Sequence, residues 1–292
     1  MPACEIKQIV QAHPLSEGAG VTVHRTIGTP QLRHLDPFLM LDHFGSDNPN
    51  EYIAGFPDHP HRGFITFTYM LDGHMLHEDS MGNRGDLKAG GAQWMKAASG
   101  VIHSEMPQQV DGLMRGFQLW INLPAAEKMS APGYQEFSDE AFPRVEIPGG
   151  ELKLVCGEYA GVSGPIQDAT TEMFYFDLRI EPNETLALDV PVNHQCFAYC
   201  YGGQAVTGDG EQAANVPTHS LTVFTLGDRV SLRAGADGAE LILVGGKPIN
   251  EEVVQYGPFV MNSREEIERA IRDFQAGKLV QEKAAFVSDL TT

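Results

Sequence analysis

Cysteine is scarce in this chain: Cys4, Cys156, Cys196 and Cys200 are the only four among 292 residues, and none sits in a CxxC spacing. That excludes a disulfide framework, a zinc ribbon and a dithiol redox pair. Cys196 and Cys200 stand four apart in a strand-like run, on one face but roughly 13 Å apart, beyond bridging distance. Both read as small buried apolar residues. Basic residues are also few, 20 against 39 acidic ones, leaving a formal charge of −19. Such a surface repels phosphate backbones and anionic lipid alike, so direct nucleic-acid binding is disfavoured. No run of about eighteen apolar residues occurs, and the opening MPACEIKQIVQAHPLSEG has no apolar stretch behind a basic head. Neither a membrane span nor a secretory signal is expected. The chain reads as soluble and intracellular: cytoplasmic or, in a eukaryotic cell, nuclear.

Helical periodicity is missing until the C-terminal region. Glycine (31) and proline (18) instead punctuate short runs rich in Val, Ile, Phe, Tyr and Thr, the pattern of an all-β chain. GFITFTYMLDG, DLKAGGAQWMKAASG and RGFQLWINLP read as strands in the first half. KLVCGEY, MFYFDLRI, QCFAYCYGGQAV, HSLTVFTLGDRVSLRA and AELILVGGKP repeat the rhythm in the second. Two β-barrel units are the economical reading. A Gly-Asp pair precedes a strand in each half, in GNRGDLKAG and TLGDRVSLRAG, as a duplication would give. Apolar alternation lapses across NLPAAEKMSAPGYQEFSDEAFPRV, so the boundary is placed near Tyr134, with one unit over residues 1–134 and the other over 135–292. One helix is expected, in NSREEIERAIRDFQAGKL. Ser263 and Glu266 form a capping box, Ile267, Ala270, Ile271 and Phe274 an apolar stripe, and Gly277 the stop. Its acidic face, Glu265, Glu268 and Asp273, is assigned to solvent.

The chemistry lies in two short pairs, His59 and His61 in HPHRG and His103 and Glu105 in GVIHSEMP. Positions i and i+2 of a strand project from the same face, about 6.6 Å apart along the backbone. Each pair therefore offers two metal ligands from one face. If the two strands are neighbours in a barrel, three imidazoles and a carboxylate converge, leaving open positions on a six-coordinate ion. A lone histidine is more often structural, but four such groups aimed into an apolar barrel need a compensating charge. His77 and His43 read first as structural residues near the cavity. Arg62 points away from the ligand face and is expected to pair with Asp58 or Glu78. Phe56, Trp94, Met95 and Trp120 are candidates for an aromatic-accepting pocket, against the plainer reading as core. The second half carries only His194 and His219, far apart, and no metal is expected there.

The segments LDPFLMLDHFG, GFPDHPHRGFITFTYMLDG, HEDSMGN, GDLKAGGAQWMKAASGVIHSEMP and GFQLWINLP resemble the pirin family of the cupin superfamily. PINEEVVQYGPFVMNSREEIERAIRDFQAGK is similar to the C-terminal signature of that family, and the likeness runs from about Asp36 to Lys278. It implies two tandem cupin-type barrels, a bicupin, with a C-terminal helix. It also implies an iron site at His59, His61, His103 and Glu105. The general cupin pattern has an acid shortly after its first histidine pair, where this chain has Ile65, so Glu105 takes the carboxylate role. Ligand type alone leaves other divalent first-row metals open, since copper and nickel bind such sets more tightly than iron. A three-histidine, one-carboxylate site suits Fe(2+) in oxygen chemistry, and the resemblance points to iron.

The resemblance further implies a quercetin 2,3-dioxygenase, which opens the central flavonol ring with both atoms of O2 and releases carbon monoxide. Glu105 would be ligand and catalytic base, and the partners a planar aromatic flavonol and O2. A reading from another class is a non-catalytic, redox-sensitive iron protein that regulates transcription or a metabolic enzyme through a protein partner. The charge of −19 fits a basic protein surface better than DNA.

Overall fold

A computed structural model describes residues 3–208, 213–281 and 285–286. The glycine-punctuated alternation becomes strands throughout, and Arg264–Gln275 is the single α-helix among the described residues. Among the described residues no helix is long and apolar enough to cross a membrane.

The chain divides into two compact units that are interleaved in sequence. One comprises Met1–His13, Gly28–Pro37 and Glu140–Pro248; the other Pro14–Ile27, Phe38–Asp139 and Ile249–Thr292. This division differs from a single cut near Tyr134. Tyr134 lies inside the strand Gly133–Phe137, paired with Met95 of the strand Ala92–Lys96, so the seam falls only after Asp139. The N-terminal strand Ile6–Gln11 pairs with Ser220–Phe224, far along the chain. Such long-range pairing is invisible to a local composition shift.

In the first unit nine strands form one sheet, in the order Ile6–Gln11, Ser220–Phe224, Gln195–Thr207, Arg229–Gly246, Phe174–Ile180, Gly150–Cys156 and Arg144–Ile147. Thr185–Asp189 and Ala214–Pro217 attach to its long central strands. The runs GDRVSLRA and AELILVGG prove to be one strand of 18 residues, Arg229–Gly246. It pairs with Thr185–Asp189 through its first half and with Phe174–Ile180 through its second, so one strand serves two parts of the sheet. Alternate residues, among them Leu152, Leu154, Phe174, Phe176, Leu241 and Leu243, point into a wholly apolar core, the period-two pattern of a sheet with one buried face.

The second unit has two larger sheets and a two-stranded one, Val254–Tyr256 with Phe259–Met261. The larger runs His13–Glu17, Val21–Arg25, Phe38–Ser46, Met114–Asn122, Phe64–Asp72, Ala92–Lys96, Gly133–Phe137 and Ala285–Phe286. The smaller runs Phe56–His61, Val101–Pro107, His74–Asp79 and Arg84–Lys88. DLKAGGAQWMK, read as one strand, is two strands in different sheets, Arg84–Lys88 and Ala92–Lys96, because Gly90 turns the chain at φ +79°. The inward face is mixed: apolar residues such as Phe44, Met70 and Met114 alternate with Thr68, Gln118 and Glu105.

The helix is capped as its sequence requires. Ser263 Oγ accepts from the Glu266 amide, and the Glu266 carboxylate accepts from the Ser263 amide in return. Its inner face buries Ile267 and Ala270 against Phe259, Met261 and Leu279, whereas Phe274 stays 42 % exposed. The acidic face is not all solvated. Arg62, which is 1 % exposed, pairs with Asp273 at 2.8 Å rather than with Asp58 or Glu78. Its remaining donors reach the carbonyls of Ser99 (2.6 Å) and Leu279 (3.2 Å). The residue after it must be glycine. A Cβ at Gly63, where φ is +91°, would lie 1.9 Å from the Val260 carbonyl oxygen. Lys128 closes the same junction, its buried ammonium donating to Gly63 O (2.8 Å), Asn122 Oδ1 (2.7 Å) and Val260 O (3.0 Å), while burial pulls its pKa down to about 7. The C-terminal segment is thus clamped to the end of the strand that carries the HPH pair.

Removing the partner of a buried charge costs about 3 to 5 kcal/mol, far more than a surface pair contributes. Asp273→Ala therefore lowers the urea midpoint of unfolding strongly. Glu268→Ala, on the exposed side of the same helix, shifts stability by no more than about 0.5 kcal/mol. Equal midpoints for the two variants would show that Arg62 does not depend on Asp273.

Candidate metal centre

The strand Phe56–His61 lies beside Val101–Pro107, antiparallel, with His103 opposite His59 and Val101 opposite His61. The two motifs are direct neighbours. Prolines 57 and 60 have no N–H for a ladder, which suits this strand to the edge of its sheet. One ring nitrogen from each of His59, His61 and His103 lies within 4.8 Å of the other two. His61 and His103 are buried and His59 is half-buried.

Hydrogen bonds assign the protons on this cluster. His59 Nδ1 is 2.8 Å from the Pro57 carbonyl, which can only accept, so in the neutral ring Nε2 is the bare nitrogen. It faces His61 Nε2 at 3.0 Å. Without a cation, the two must share a proton; with one, both lone pairs point to it. A separation of about 3 Å is that of two ligand atoms at right angles on an ion with bonds of about 2.1 Å. His103 Nε2 is buried with no hydrogen-bond partner. Three imidazoles converging with a partnerless nitrogen fit a divalent metal ion.

Protonation of the rings is opposed. Burial pushes the His103 pKa well below the ordinary value, and the neighbouring His61, His59 and His77 push it further the same way. Burial and then His59 do the same to His61. Neutral imidazole is the ligating form, so the site favours the metal-competent state.

Glu105 does not join the three rings within 4.8 Å. The register shifts between His103 and Glu105, with one extra residue on the Phe56–His61 strand, so Glu105 falls opposite Phe56. Glu105 is buried, and its carboxylate accepts from Thr68 Oγ1 at 3.0 Å and from Gln118 Nε2 at 2.7 Å. Gln118 Oε1 in turn accepts from Trp120 Nε1 at 3.4 Å. Trp120 stands edge-on to His61, 5.1 Å between centroids, and packs on Phe64 at 4.3 Å. Of the candidate pocket residues, Trp120 therefore touches the cluster. Phe56 packs against one apolar cluster of the unit, and Met95 belongs to another.

Thr68 and Gln118 were not singled out from sequence. Their signal was there: each is a polar residue at an inward position of an otherwise apolar strand, in GFITFTYM and GFQLWIN. His77 is fully buried, with Nδ1 3.3 Å from His103 Nδ1 and Nε2 3.4 Å from Asp79 Oδ2. Burial alone would raise the Asp79 pKa, but hydrogen bonds from His77 and Asn83 outweigh it and hold the carboxyl below its usual range. In the other unit, His194 is tied locally, to the Glu172 carbonyl and to Asn193.

Comparison with known proteins places the chain in a family. Residues 20–121 match the Pirin family and residues 175–280 the Pirin C-terminal cupin domain. A Pseudomonas aeruginosa protein, provisionally named a quercetin 2,3-dioxygenase, is 48 % identical over 94 % of this chain and 98 % of its own length. Human pirin is 38 % identical over 92 % of this chain and 91 % of its own. The crystal structure of quercetin 2,3-dioxygenase from Acinetobacter baumannii superposes with a TM-score of 0.87 at 30 % identity, covering 95 % of this chain and 99 % of that one.

The depressed imidazole pKa values have a signed consequence for the metal-free protein. Unfolded histidines titrate near about 6.5. Between that value and the lower folded ones the unfolded chain binds more protons, so stability rises with pH and is lost as pH falls below about 6.5. Urea midpoints of metal-free protein should drop from pH 7.5 to 5.5, and the double variant His61→Gln, His103→Gln should flatten that slope. An unchanged slope would assign the acid sensitivity elsewhere.

Proposed function

The chain belongs to the pirin family, and on that premise we propose that it is a metal-dependent dioxygenase of the quercetin 2,3-dioxygenase type, with iron(II) held by His59, His61 and His103. The observation that carries this reading is the convergence of three imidazoles with a buried, partnerless Nε2 on His103. The names of the relatives, and the likeness over nearly the whole chain to a solved quercetin 2,3-dioxygenase, support it. The bound ion would supply Lewis acidity that lowers the pKa of a flavonol 3-hydroxyl, and open positions where that oxygen and the 4-carbonyl sit.

The residues of the chain do the rest. Glu105 would take the proton of the 3-hydroxyl and would be the fourth group to hold the ion. Thr68 and Gln118 place a donor on each side of the Glu105 carboxylate and so fix its orientation. Phe64 and Trp120, packed beside His61, offer an apolar wall to a planar aromatic ring and exclude water from it. Holding substrate and O2 together in one site turns a bimolecular encounter into reaction within a complex.

A second reading, a regulator acting through a protein partner, draws on the net charge of −19, which suits a basic protein surface. Two measurements separate the readings. Iron-loaded protein given quercetin in air consumes O2 and bleaches the flavonol absorbance if it is the enzyme. Chelation abolishes this, and Fe(II) restores it. A regulator shows no turnover and captures a partner according to the oxidation state of the iron.

Loss of a general base costs about 10²- to 10⁴-fold. Glu105→Gln should retain bound metal, because the three imidazoles remain, while kcat with quercetin falls by at least about a hundredfold. Wild-type kcat in that variant would remove Glu105 as the base.

A further inference from the structure

His77 and Asp79 form a buried pair behind the metal cluster that the proposed activity does not use. We propose that Asp79 and His77 act as a hydrogen-bonded relay that fixes the tautomer of His103 and so turns its bare Nε2 toward the metal position. This inference rests on the metal-centre reading above and assigns His77 and Asp79 as positioning residues.

The argument follows the protons. Asp79 Oδ1 accepts from the backbone amides of Met81 (2.9 Å) and Asn83 (3.0 Å), and Oδ2 accepts from Asn83 Nδ2 at 2.8 Å. A carboxylate so surrounded by donors only accepts. The remaining neighbour of Oδ2 is His77 Nε2, at 3.4 Å, so that nitrogen carries the proton of His77. A neutral imidazole has one proton, which leaves His77 Nδ1 as an acceptor. The 3.3 Å contact from His103 Nδ1 to His77 Nδ1 is then a hydrogen bond that His103 donates. With its own proton on Nδ1, His103 presents a lone pair at Nε2, the atom that is buried without a partner. The reverse order would leave an N–H there, which a cation repels.

Packing holds the relay in place. The ring of His77 lies between Tyr134 and His103, 5.0 and 5.1 Å between centroids. The Tyr134 hydroxyl is itself anchored, accepting from Gln93 Nε2 at 2.7 Å and donating to Glu136 at 2.6 Å. His77 is 1 % exposed, so it has no water to turn toward. Its two nitrogens are both engaged, so it is no ligand. Carboxylates behind metal-bound histidines commonly set ring tautomer and basicity, and their loss weakens metal binding about 10- to 100-fold. Here the carboxylate acts through one additional ring.

The test uses Asp79→Asn and His77→Phe in the full chain. In Asp79→Asn the amide oxygen still accepts from the Met81 and Asn83 amides, but its NH2 faces His77 Nε2. That donor reverses the relay and puts the His103 proton on Nε2. Nitrogen-15 histidine NMR of metal-free protein should show His103 protonated on Nδ1 in wild type and on Nε2 in Asp79→Asn. Competition with a chelator under argon should show Fe(II) bound 10- to 100-fold more weakly by both variants. A purely structural role would lower the thermal midpoint without moving the tautomer. The relay is overturned if wild-type His103 carries its proton on Nε2, or if both variants bind Fe(II) as wild type does. If wild-type protein itself binds no divalent metal, the metal-centre reading falls and the relay falls with it, an outcome distinct from equal binding.

Discussion

Backbone pairing between Phe56–His61 and Val101–Pro107, with His103 set opposite His59, governs what the buried side chains of this unit can do. A slip by one residue would turn His103 and both HPH imidazoles to opposite faces of the sheet. The pairing is held at both ends. The HPH strand runs into Arg62 and Gly63, clamped by Asp273, Lys128 and the Val260 carbonyl. The HSE strand is paired on its other side with His74–Asp79, which brings His77 opposite Glu105 and Asp79 opposite His103. The proposed ligands, relay and base therefore come from three adjacent strands of one small sheet.

The facing sheet supplies a different kind of control. Thr68 and Gln118 reach across to the two oxygens of Glu105, so the carboxylate is satisfied without the histidines. At the histidine cluster, burial and neighbouring imidazoles oppose protonation of His61 and His103, and an ion would give the converging lone pairs a common partner.

Much of this was legible in sequence because it is local. HPH and HSE declare paired side chains on one strand face, and Ser263 and Glu266 declare a helix start, each within a few residues. Tyr134 as a boundary and Asp58 or Glu78 as the partner of Arg62 are expectations that the fold departs from, for a shared reason. Each depends on what lies opposite in space. Arg62 meets Asp273, 211 residues away, and the Glu105 carboxylate meets Thr68 and Gln118 of the facing sheet. His77 and Asp79 are the instructive middle case. HED has the same i, i+2 spacing as HPH and was open to the same reasoning, but only the neighbouring strand shows which histidine it serves.

The clamp on Gly63 also bears on how the protein is made. Val260, Asp273 and Leu279, which lock the end of the HPH strand, leave the ribosome only after Glu140–Pro248 has been synthesised. A nascent chain holds both histidine motifs long before it holds the segment that secures them. The lock therefore closes late in synthesis, and a polypeptide that terminates early carries the histidines without it.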